Sequence, residues 1–462
     1  MTLIKNISGF RGTIGGNNLE NLTPYDIVTS ISAFSRLIKE NNPNLSSLTV
    51  MTGRDGRKSG KMIQSIVNST FNSMGINVID TGLSTTPTIC WGVLNNYSVG
   101  GLMITASHNP EEYNGLKFFN SDGEFLSKED VSKLIRYSES KKHIFSSNNS
   151  LGSISEYNRL IDDHVNAILD LDILPLEEIK KLKLSVSVDA INSGGAIAIP
   201  KLLERFNIKY NIINSEIEGV FNHTPEPLAE NLIDLSKSIQ VNKSDFGIAV
   251  DPDVDRLVFF DEKGEILGEE YTQVFCSDFV LSKNKGDTVS TLSSSNALKD
   301  LTISYGQNYH STPVGEMNVV KKMKEVDSIV GGEGGGGIIY PELHYGRDAL
   351  VGIALFLSLL VDKKCKVSEL KSKYSRYYMK KIKLTLKDSK LIDRTFNLIS
   401  ENYSELSPNK EDGVRIDFDD AWVHMRKSNT EPIIRIFAEA KSQDIANKYA
   451  LKIEKEIKSI IS

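Results

Sequence analysis

The stretch "FGIAVDPDVDRLVFFD", residues 246–261, predicts an apolar strand, a short polar turn and a second apolar strand. Before it, residues 182–192 and 208–214 are also predicted strands, and residues 194–207, which begin with two glycines, are a predicted helix. Strands that alternate with helices are typical of βαβ units. This part of the chain is therefore predicted to fold as an α/β domain with a mixed or parallel sheet.

The same alternation appears before residue 150 and again between residues 287 and 361, although no sequence repeat accompanies it. The polar stretch 138–155 has little apolar periodicity and marks a first boundary. The last ninety or so residues differ, because three predicted strands precede a helix from Ser442 with its apolar residues on one face. We therefore expect three α/β domains and a C-terminal α+β domain, with the bounds 1–150, 151–256, 257–370 and 371–462.

Composition and charge argue against several classes of partner. The net charge of −6 over 462 residues lacks the basic excess of a nucleic-acid-binding protein. Cys90, Cys276 and Cys365 are widely spaced and form no CxxC pair, which indicates a reducing compartment. The N-terminus lacks the apolar core of a signal peptide. The apolar run 349–361 is too short to span a bilayer and is predicted to be a buried helix. We expect a cytoplasmic protein with no nucleic-acid or membrane partner.

The turn "DPDVDR" carries three alternating carboxylates, those of Asp251, Asp253 and Asp255. A turn at Pro252 can bring them together, and carboxylates this close repel each other unless a cation lies among them. An all-oxygen set of ligands favours a hard divalent ion, and Mg²⁺ in particular. The alternative is an ordinary acidic turn between two strands. We predict one Mg²⁺ site per chain here.

A second strand end, "MITASHNP" (residues 103–110), presents Ser107 and His108 in front of Asn109 and Pro110. Asparagine followed by proline is enough to form a turn, so the turn itself does not require the serine or the histidine. We interpret this segment as a strand end that exposes a hydroxyl group.

The loop "GGEGGGG", residues 331–337, formally matches the dinucleotide-binding pattern GxGxxG. That pattern must open a helix, however, and the β-branched and proline-containing stretch "IIYPE" follows here. A flexible linker is a second alternative. Because Glu333 lies between apolar segments, we favour a loop that brings one carboxylate and bare backbone close to a small polar ligand.

The segment "RKSNTEPIIR", residues 426–435, places several hydrogen-bond donors between two predicted strands. Hydroxyl, amide and guanidinium groups are the donors that a phosphate needs. The alternative is a capped hairpin with surface arginines. Three further arginines lie amid glycines in short motifs near the N-terminus, namely Arg11, Arg54 and Arg57.

Taken in order, the motifs "TASHNP", "DPDVDR", "GGEG" and "RKSNTEP" resemble the α-D-phosphohexomutase family, which contains phosphoglucomutases, phosphomannomutases and phosphoglucosamine mutases. The resemblance covers essentially the whole chain, and "GFRG" (9–12), "DAINSGG" (189–195) and "TPVGE" (312–316) add to it. It implies three related α/β domains and one α+β domain around a central cleft. It also implies a small-molecule sugar phosphate as substrate and a hexose bisphosphate as intermediate and activator.

The resemblance implies a role for each motif. Ser107 would carry the transferable phosphate next to Mg²⁺, and a clamp in the fourth domain would hold the non-reacting phosphate. The implied catalytic residues are Ser107, His108, Lys117, Arg11 and Arg256, where His108 and Lys117 are alternatives for proton transfer. The implied metal ligands are Ser107, Asp251, Asp253 and Asp255. The implied substrate-binding residues are Glu333, Gly334, Thr312, Arg426, Ser428, Asn429, Thr430 and Arg435.

The sugar loop "GEGGGG" lacks the serine and histidine that many family members carry after the glutamate. Together with "STLSSSNAL" (290–298), this glycine-rich loop resembles phosphoglucosamine mutases of some bacteria. We therefore expect interconversion of glucosamine 6-phosphate and glucosamine 1-phosphate. The alternatives are a phosphoglucomutase or phosphomannomutase, a phosphosugar-binding regulator without turnover, and a phosphatase.

Overall fold

The computed structural model describes residues 2–95, 98–140, 142–385, 391–427 and 433–461. Within these residues the chain forms four successive β-sheets, each accompanied by helices. The first three sheets are mixed and the fourth is antiparallel, as the predicted fold class requires. Four short 3₁₀ turns complete the structure, at Asn148–Ser150, Ala229–Asn231, Lys371–Lys373 and Ser404–Leu406.

The first sheet has seven strands. They are β1 (Ile4–Asn6), β2 (Gly9–Thr13), β3 (Thr49–Arg54), β4 (Asn77–Leu83), β5 (Gly101–Ile104), β6 (Tyr113–Phe119) and β7 (Ile154–Glu156). The helices of this part are α1 (Pro24–Asn41), α2 (Gly60–Ser73), α3 (Thr86–Asn95) and α4 (Lys128–Glu139). The order across the sheet is β1-β2-β6-β5-β3-β4-β7. The sheet continues beyond residue 150 because β7 pairs in parallel with β4.

The second sheet has the order β11-β10-β8-β9. Its strands are β8 (Ser185–Asp189), β9 (Lys209–Ile213), β10 (Phe246–Val250) and β11 (Leu257–Phe260). The helices of this part are α5 (Leu160–Leu169), α6 (Leu176–Lys181), α7 (Gly195–Arg205) and α8 (Ile233–Asn242). Because β11 pairs antiparallel with β10, this sheet extends past residue 256.

The third sheet has the order β13-β12-β14-β15. Its strands are β12 (Thr288–Thr291), β13 (Tyr309–Thr312), β14 (Val330–Glu333) and β15 (Gly337–Ile339). The helices of this part are α9 (Glu269–Lys283), α10 (Asn296–Ser304), α11 (Glu316–Val326), α12 (Ala349–Lys363) and α13 (Val367–Leu370).

The fourth sheet is antiparallel throughout, with the order β16-β19-β18-β17. Its strands are β16 (Tyr378–Thr385), β17 (Val414–Asp417), β18 (Ala421–Lys427) and β19 (Ile433–Ala440), and its helices are α14 (Leu391–Asn402) and α15 (Gln443–Ile461). The apolar face of α15 packs on this sheet, as its periodicity predicts.

The first three sheets share one four-stranded unit, namely β4-β3-β5-β6, β9-β8-β10-β11 and β13-β12-β14-β15. In each unit three strands are parallel and the fourth returns antiparallel to the third. The turn into the fourth strand therefore starts at the carboxyl end of a parallel strand in all three sheets. We call these the return turns: residues 105–112, 251–256 and 334–336.

Helix α12 lies in the centre of the apolar core. Every residue from Ala349 to Leu360 is buried, which confirms the predicted buried helix, and among the described residues no helix combines the length and apolar character needed to cross a bilayer. Phe356 stacks on Phe259 with 3.8 Å between the ring centroids. One apolar cluster contains residues of both the second and the third sheet, whereas the first and fourth sheets have their own. The second and third domains are therefore expected to unfold together.

We expect Phe356→Ala to lower the free energy of unfolding of this shared core by about 3–5 kcal/mol, because it leaves a cavity among aromatic rings. Ile303→Ala is the matched control, since Ile303 is exposed on α10 of the same domain. The control should change stability by less than about 0.5 kcal/mol. Chemical denaturation of both variants measures the difference, and equal losses would contradict the central position of Phe356.

Candidate functional site

The three return turns meet at one place. Ser107 Oγ, in the first turn, donates a hydrogen bond of 2.7 Å to Asp251 Oδ2 in the second. Arg347, which precedes α12, contacts Asp255 of the second turn at 2.8 Å and Glu333 beside the third at 3.0 Å. The equivalent position of the turns in their sheets thus brings together residues that are far apart in sequence.

Ser107 occupies a strained position in its turn. Its backbone φ is +49°, in the left-handed region that non-glycine residues rarely adopt. Its N–H donates to Thr105 Oγ1 at 2.9 Å, and its side chain is almost fully buried, next to Asp251. Strain of this kind persists only when the surrounding structure fixes it, and it is common at functional sites.

The guanidinium group of Arg57 fixes the conformation of this turn. Arg57 is buried, and its Nε contacts Asp55 Oδ2 at 3.1 Å. Its other nitrogens donate hydrogen bonds of 2.6 to 2.9 Å to four main-chain carbonyl groups, those of Ser107, Asn109, Pro110 and Tyr113. Arginine carries five N–H donors on one planar group, and no other side chain can satisfy this many acceptors at once. The sequence motif alone did not reveal this role.

The carboxylates of Asp251, Asp253 and Asp255 form a compact buried cluster. Each residue has no exposed surface, and one ligand atom from each lies within 4.8 Å of the others. Burial, with repulsion from Asp255 and Asp253, raises the pKa of Asp251 well above its usual value. A cation among the three carboxylates would remove that repulsion.

The free oxygens of this cluster fit a metal ion. Among the described residues, Oδ1 of Asp253 and Oδ1 of Asp255 have no hydrogen-bond partner although both are buried. An unpartnered buried carboxylate oxygen is costly, and a hard divalent cation is the partner that an all-oxygen set prefers. The cluster can therefore hold a metal ion, with Ser107 Oγ beside it.

Lys117 and His108, the two residues considered for proton transfer, have opposite electrostatic environments. Lys117 Nζ contacts Asp253 at 2.5 Å and Asp255 at 2.8 Å, and although burial opposes it, their charges raise the pKa of Lys117. Burial, with repulsion from Arg256 and Arg11, lowers the pKa of His108 well below its usual value. Lys117 is therefore a fixed cation, whereas His108, 3.3 Å from Ser107 Oγ, is a neutral imidazole.

Arg347 was not singled out in the sequence, yet it connects three carboxylates at the centre of the site. It contacts Asp255 and Glu316 at 2.8 Å each, and Glu333 at 3.0 Å. Its only sequence signal is its position just before an apolar helix, which many arginines share. Arg347 thus links the second return turn to Glu333 beside the third.

The glycine-rich return turn is closely packed at its first and last residues, Gly334 and Gly336. A Cβ on Gly334 would lie 2.1 Å from Glu270 Oε2, and one on Gly336, whose φ is +87°, would lie 2.5 Å from the carbonyl oxygen of Leu257. Glu333 Oε1 accepts a hydrogen bond of 3.0 Å from the Gly315 N–H. The loop thus presents one oriented carboxylate beside bare backbone.

A cleft of about 190 Å³ opens over these turns. Of the residues predicted for the site, six line it: His108, Arg256, Glu333, Gly334, Arg426 and Arg435. Arg11 is close by and donates to Asn109 Oδ1 at 3.2 Å. The hydroxyl of Thr312 instead donates to the Pro313 carbonyl at 2.9 Å. A larger cavity of about 830 Å³ lies between the second and third domains, and its lining includes none of the predicted site residues.

The fourth domain reaches the cleft through a polar contact. Arg426 Nε contacts Asp412 Oδ2 at 3.1 Å, and the Val314 N–H donates to the same oxygen at 2.9 Å. Since Val314 belongs to the third domain, Asp412 joins Arg426 to the wall of the cleft. The other predicted members of the phosphate clamp lie outside the described residues: Ser428, Asn429 and Thr430.

We expect Arg57→Lys to destabilise the first domain by at least about 2 kcal/mol, because several buried carbonyl groups lose their donor. Arg54→Lys is the matched control, since Arg54 is partly exposed and donates to the Asp55 carbonyl. The control should cost less than about 1 kcal/mol. Urea denaturation measures the free energy of unfolding of both variants. If Arg54→Lys lowers it as much as Arg57→Lys, the hydrogen bonds of the Arg57 guanidinium group are not what fixes the turn.

Models of the phosphoglucomutase/phosphomannomutase family match the chain in four consecutive parts. The α/β/α domains I, II and III match residues 3–144, 162–264 and 268–377, and the C-terminal domain matches residues 364–456. Together these matches cover nearly the whole chain. They correspond to the four sheets described above.

Individual proteins agree with this assignment. A phosphoglucomutase/phosphomannomutase of Thermococcus kodakarensis is 34% identical over 448 residues, which cover 95% of this chain and 96% of that protein. A phosphoglucosamine/phosphogalactosamine mutase of Sulfurisphaera tokodaii is 31% identical over 453 residues, 96% of this chain and 98% of that protein. The structure of a phosphoglucomutase/phosphomannomutase family protein from Burkholderia thailandensis has the same fold, with a TM-score of 0.83 at 22% identity, covering 98% of this chain and 96% of that one. This chain therefore belongs to the phosphoglucomutase/phosphomannomutase family, the α-D-phosphohexomutases.

Proposed function

We propose that this phosphohexomutase interconverts glucosamine 6-phosphate and glucosamine 1-phosphate through a phosphorylated Ser107. The contact of Ser107 Oγ with Asp251 Oδ2, at 2.7 Å, carries the proposal. It supports a nucleophilic hydroxyl from one domain acting beside a metal site from another. Asp251, Asp253 and Asp255 would hold one Mg²⁺, which neutralises charge on the phosphoryl group when it is bound.

The reaction consists of two phosphoryl transfers. In the first, the bond between phosphorus and Ser107 Oγ breaks as a sugar hydroxyl attacks; that hydroxyl gives up its proton, and the released Ser107 Oγ takes one up. The product is a hexose bisphosphate, which must turn around in the cleft so that its other phosphate faces Ser107. In the second transfer, Ser107 Oγ gives up its proton and attacks that phosphate, and the sugar oxygen that leaves takes up a proton. A neutral His108 near Ser107 suits the proton transfers.

Cationic side chains support both ends of the substrate. Lys117, Arg256 and Arg11 would surround the reacting end and stabilise the transferring phosphoryl group. Arg426 and Arg435 line the other side of the cleft, and with Ser428, Asn429 and Thr430 they would clamp the distal phosphate. A clamp of this kind suits an intermediate with a phosphate at each end, and added hexose bisphosphate would activate the enzyme.

The carboxylate of Glu270 favours an amino sugar as substrate. Glu333 and Glu270 flank Gly334, which lines the cleft and whose missing side chain leaves room for the carboxylate of Glu270. Burial raises the pKa of Glu270 well above its usual value, and the nearby Lys381 makes its ion pair of 2.8 Å with Glu269 instead. A substrate ammonium group would supply the missing cation. Thr312 would support the loop rather than contact the sugar.

Two alternatives remain distinct from this proposal. The first is glucose phosphate or mannose phosphate as the substrate. The 34% identity to the Thermococcus kodakarensis phosphoglucomutase/phosphomannomutase favours it. A regulator that only binds phosphosugars would not need a hydroxyl group held against a metal cluster, so the contact of Ser107 with Asp251 argues against it.

Ser107→Ala should lower kcat by at least about three orders of magnitude, the scale of losing a covalent nucleophile. Intact-mass analysis of the active wild type should find a fraction about 80 Da heavier, the mass of one phosphoryl group. Ser98→Ala is the matched control, because Ser98 is also a buried serine of the first domain but lies outside the cleft. A fully active Ser107→Ala variant would end the phosphoserine mechanism.

A panel of glucosamine, glucose and mannose phosphates, compared by kcat/KM with catalytic bisphosphate added, tests the substrate. Wild type should prefer glucosamine phosphate. Glu270→Gln should lower kcat/KM for that substrate by about 10- to 100-fold, the cost of one hydrogen bond to a charged group, and change the other two by less than about threefold. Equal losses for all three sugars would show that Glu270 does not recognise an amino group.

A further inference from the structure

A second cluster of side chains that can bind a metal lies where the first three domains meet, and none of its members lines the cleft. Its members are His164, His344 and Asp348, all fully buried, with one ligand atom from each within 4.8 Å of the others. His164 lies on α5 of the second domain, and the other two precede α12 of the third. The first domain contributes Thr88, on α3, whose Oγ1 lies 3.0 Å from His164 Nδ1.

The two oxygens of Asp348 have separate functions. Oδ1 caps helix α12, since it accepts hydrogen bonds from the N–H groups of Leu350 at 2.8 Å and Val351 at 3.4 Å. Oδ2 faces both imidazoles, with His164 Nε2 at 3.1 Å and His344 Nε2 at 3.4 Å. One oxygen and two imidazole nitrogens therefore converge on one small volume.

Simple hydrogen bonding accounts poorly for this convergence. Although His164 Nε2 is 3.1 Å from Asp348 Oδ2, it has no partner with hydrogen-bond geometry among the described residues. The contact of His344 Nε2 is long for a hydrogen bond of an N–H group, which usually measures about 2.9–3.0 Å. The ligands of a tetrahedral zinc ion, at bond lengths of about 2.0–2.1 Å, lie about 3.3–3.4 Å apart, and each ring nitrogen faces the ion rather than its neighbour.

The surroundings of the cluster also suit a bound ion. His164 Nδ1 contacts Thr88, the outer-shell partner that fixes the orientation of a metal-binding imidazole. Trp91 stacks on the His164 ring, with 5.6 Å between centroids and 22° between planes. We infer that His164, His344 and Asp348 bind a divalent transition-metal ion, Zn²⁺ by the chemistry of the ligands, which joins the first three domains and takes no part in phosphoryl transfer.

The test uses the full-length protein, purified from cells grown with added Zn²⁺ and dialysed against excess Mg²⁺ so that the aspartate cluster is saturated. Elemental analysis by mass spectrometry should find about one zinc per chain in the wild type. His164→Gln and His344→Gln should each lower the bound zinc at least about tenfold, because losing even an outer-shell partner costs about 10- to 100-fold in metal affinity and losing a direct ligand costs no less.

Two controls locate the ion. His310→Gln removes a histidine from another His–Asp pair, 2.8 Å from Asp287, and should keep the zinc. Asp253→Asn, which damages the aspartate cluster, should also keep it. Zinc that disappears in Asp253→Asn but persists in His344→Gln would place the ion at the aspartates and overturn the inference.

A spectroscopic measurement keeps the inference testable if the histidine variants fold poorly. Wild type and Asp253→Asn loaded with Co²⁺ should both show the intense visible absorption of four-coordinate cobalt bound by nitrogen and oxygen. A strong chelator should remove that absorption and lower Tm, because an ion bound only to the folded state stabilises it. Absence of zinc and of the cobalt bands in folded wild type would overturn the inference.

Discussion

The neutralisation of Asp255 is the constraint on which the arrangement of this protein depends. Its Oδ2 contacts Lys117 of the first domain and Arg347 of the third, both at 2.8 Å. A buried carboxylate without a cation is strongly destabilising, and each cation is equally costly without its carboxylate. The first three domains therefore fit together in the one arrangement that brings these groups into contact, and that arrangement also forms the floor of the cleft.

Much of the fold could be predicted from sequence, because alternating apolar strands and helices have local signals. The buried helix at 349–361 and the amphipathic helix after Ser442 are examples. The aspartate turn and the turn at Ser107 were also visible, since each places polar residues directly after an apolar strand. Arg57 and Arg347 could not be interpreted in the same way. Their partners are main-chain carbonyls or carboxylates that only the tertiary structure brings close.

The fourth domain differs from the others in how it is attached. It has its own apolar cluster, and its contacts at the cleft include polar ones, such as those of Asp412 with Val314 and of His424 Nδ1 with Ser293 Oγ at 2.8 Å. Polar contacts between domains are easily exchanged for water, whereas shared apolar cores are not. A domain attached in this way can move as a rigid body relative to the other three. Such a movement would suit the proposed reaction, in which a sugar phosphate enters and a bisphosphate is retained.

The repeated strand order has a consequence for how such a site can change. Each return turn occupies the same place in its sheet but contributes something different: the buried hydroxyl of Ser107, the cluster of three aspartates, or a carboxylate beside bare backbone. Strand pairing does not depend on which of these a turn carries. Substitutions in one return turn can therefore change its chemistry, for example the preference for a sugar, while the other two turns keep their residues. Specificity can change in this way without a change in the residues proposed for catalysis.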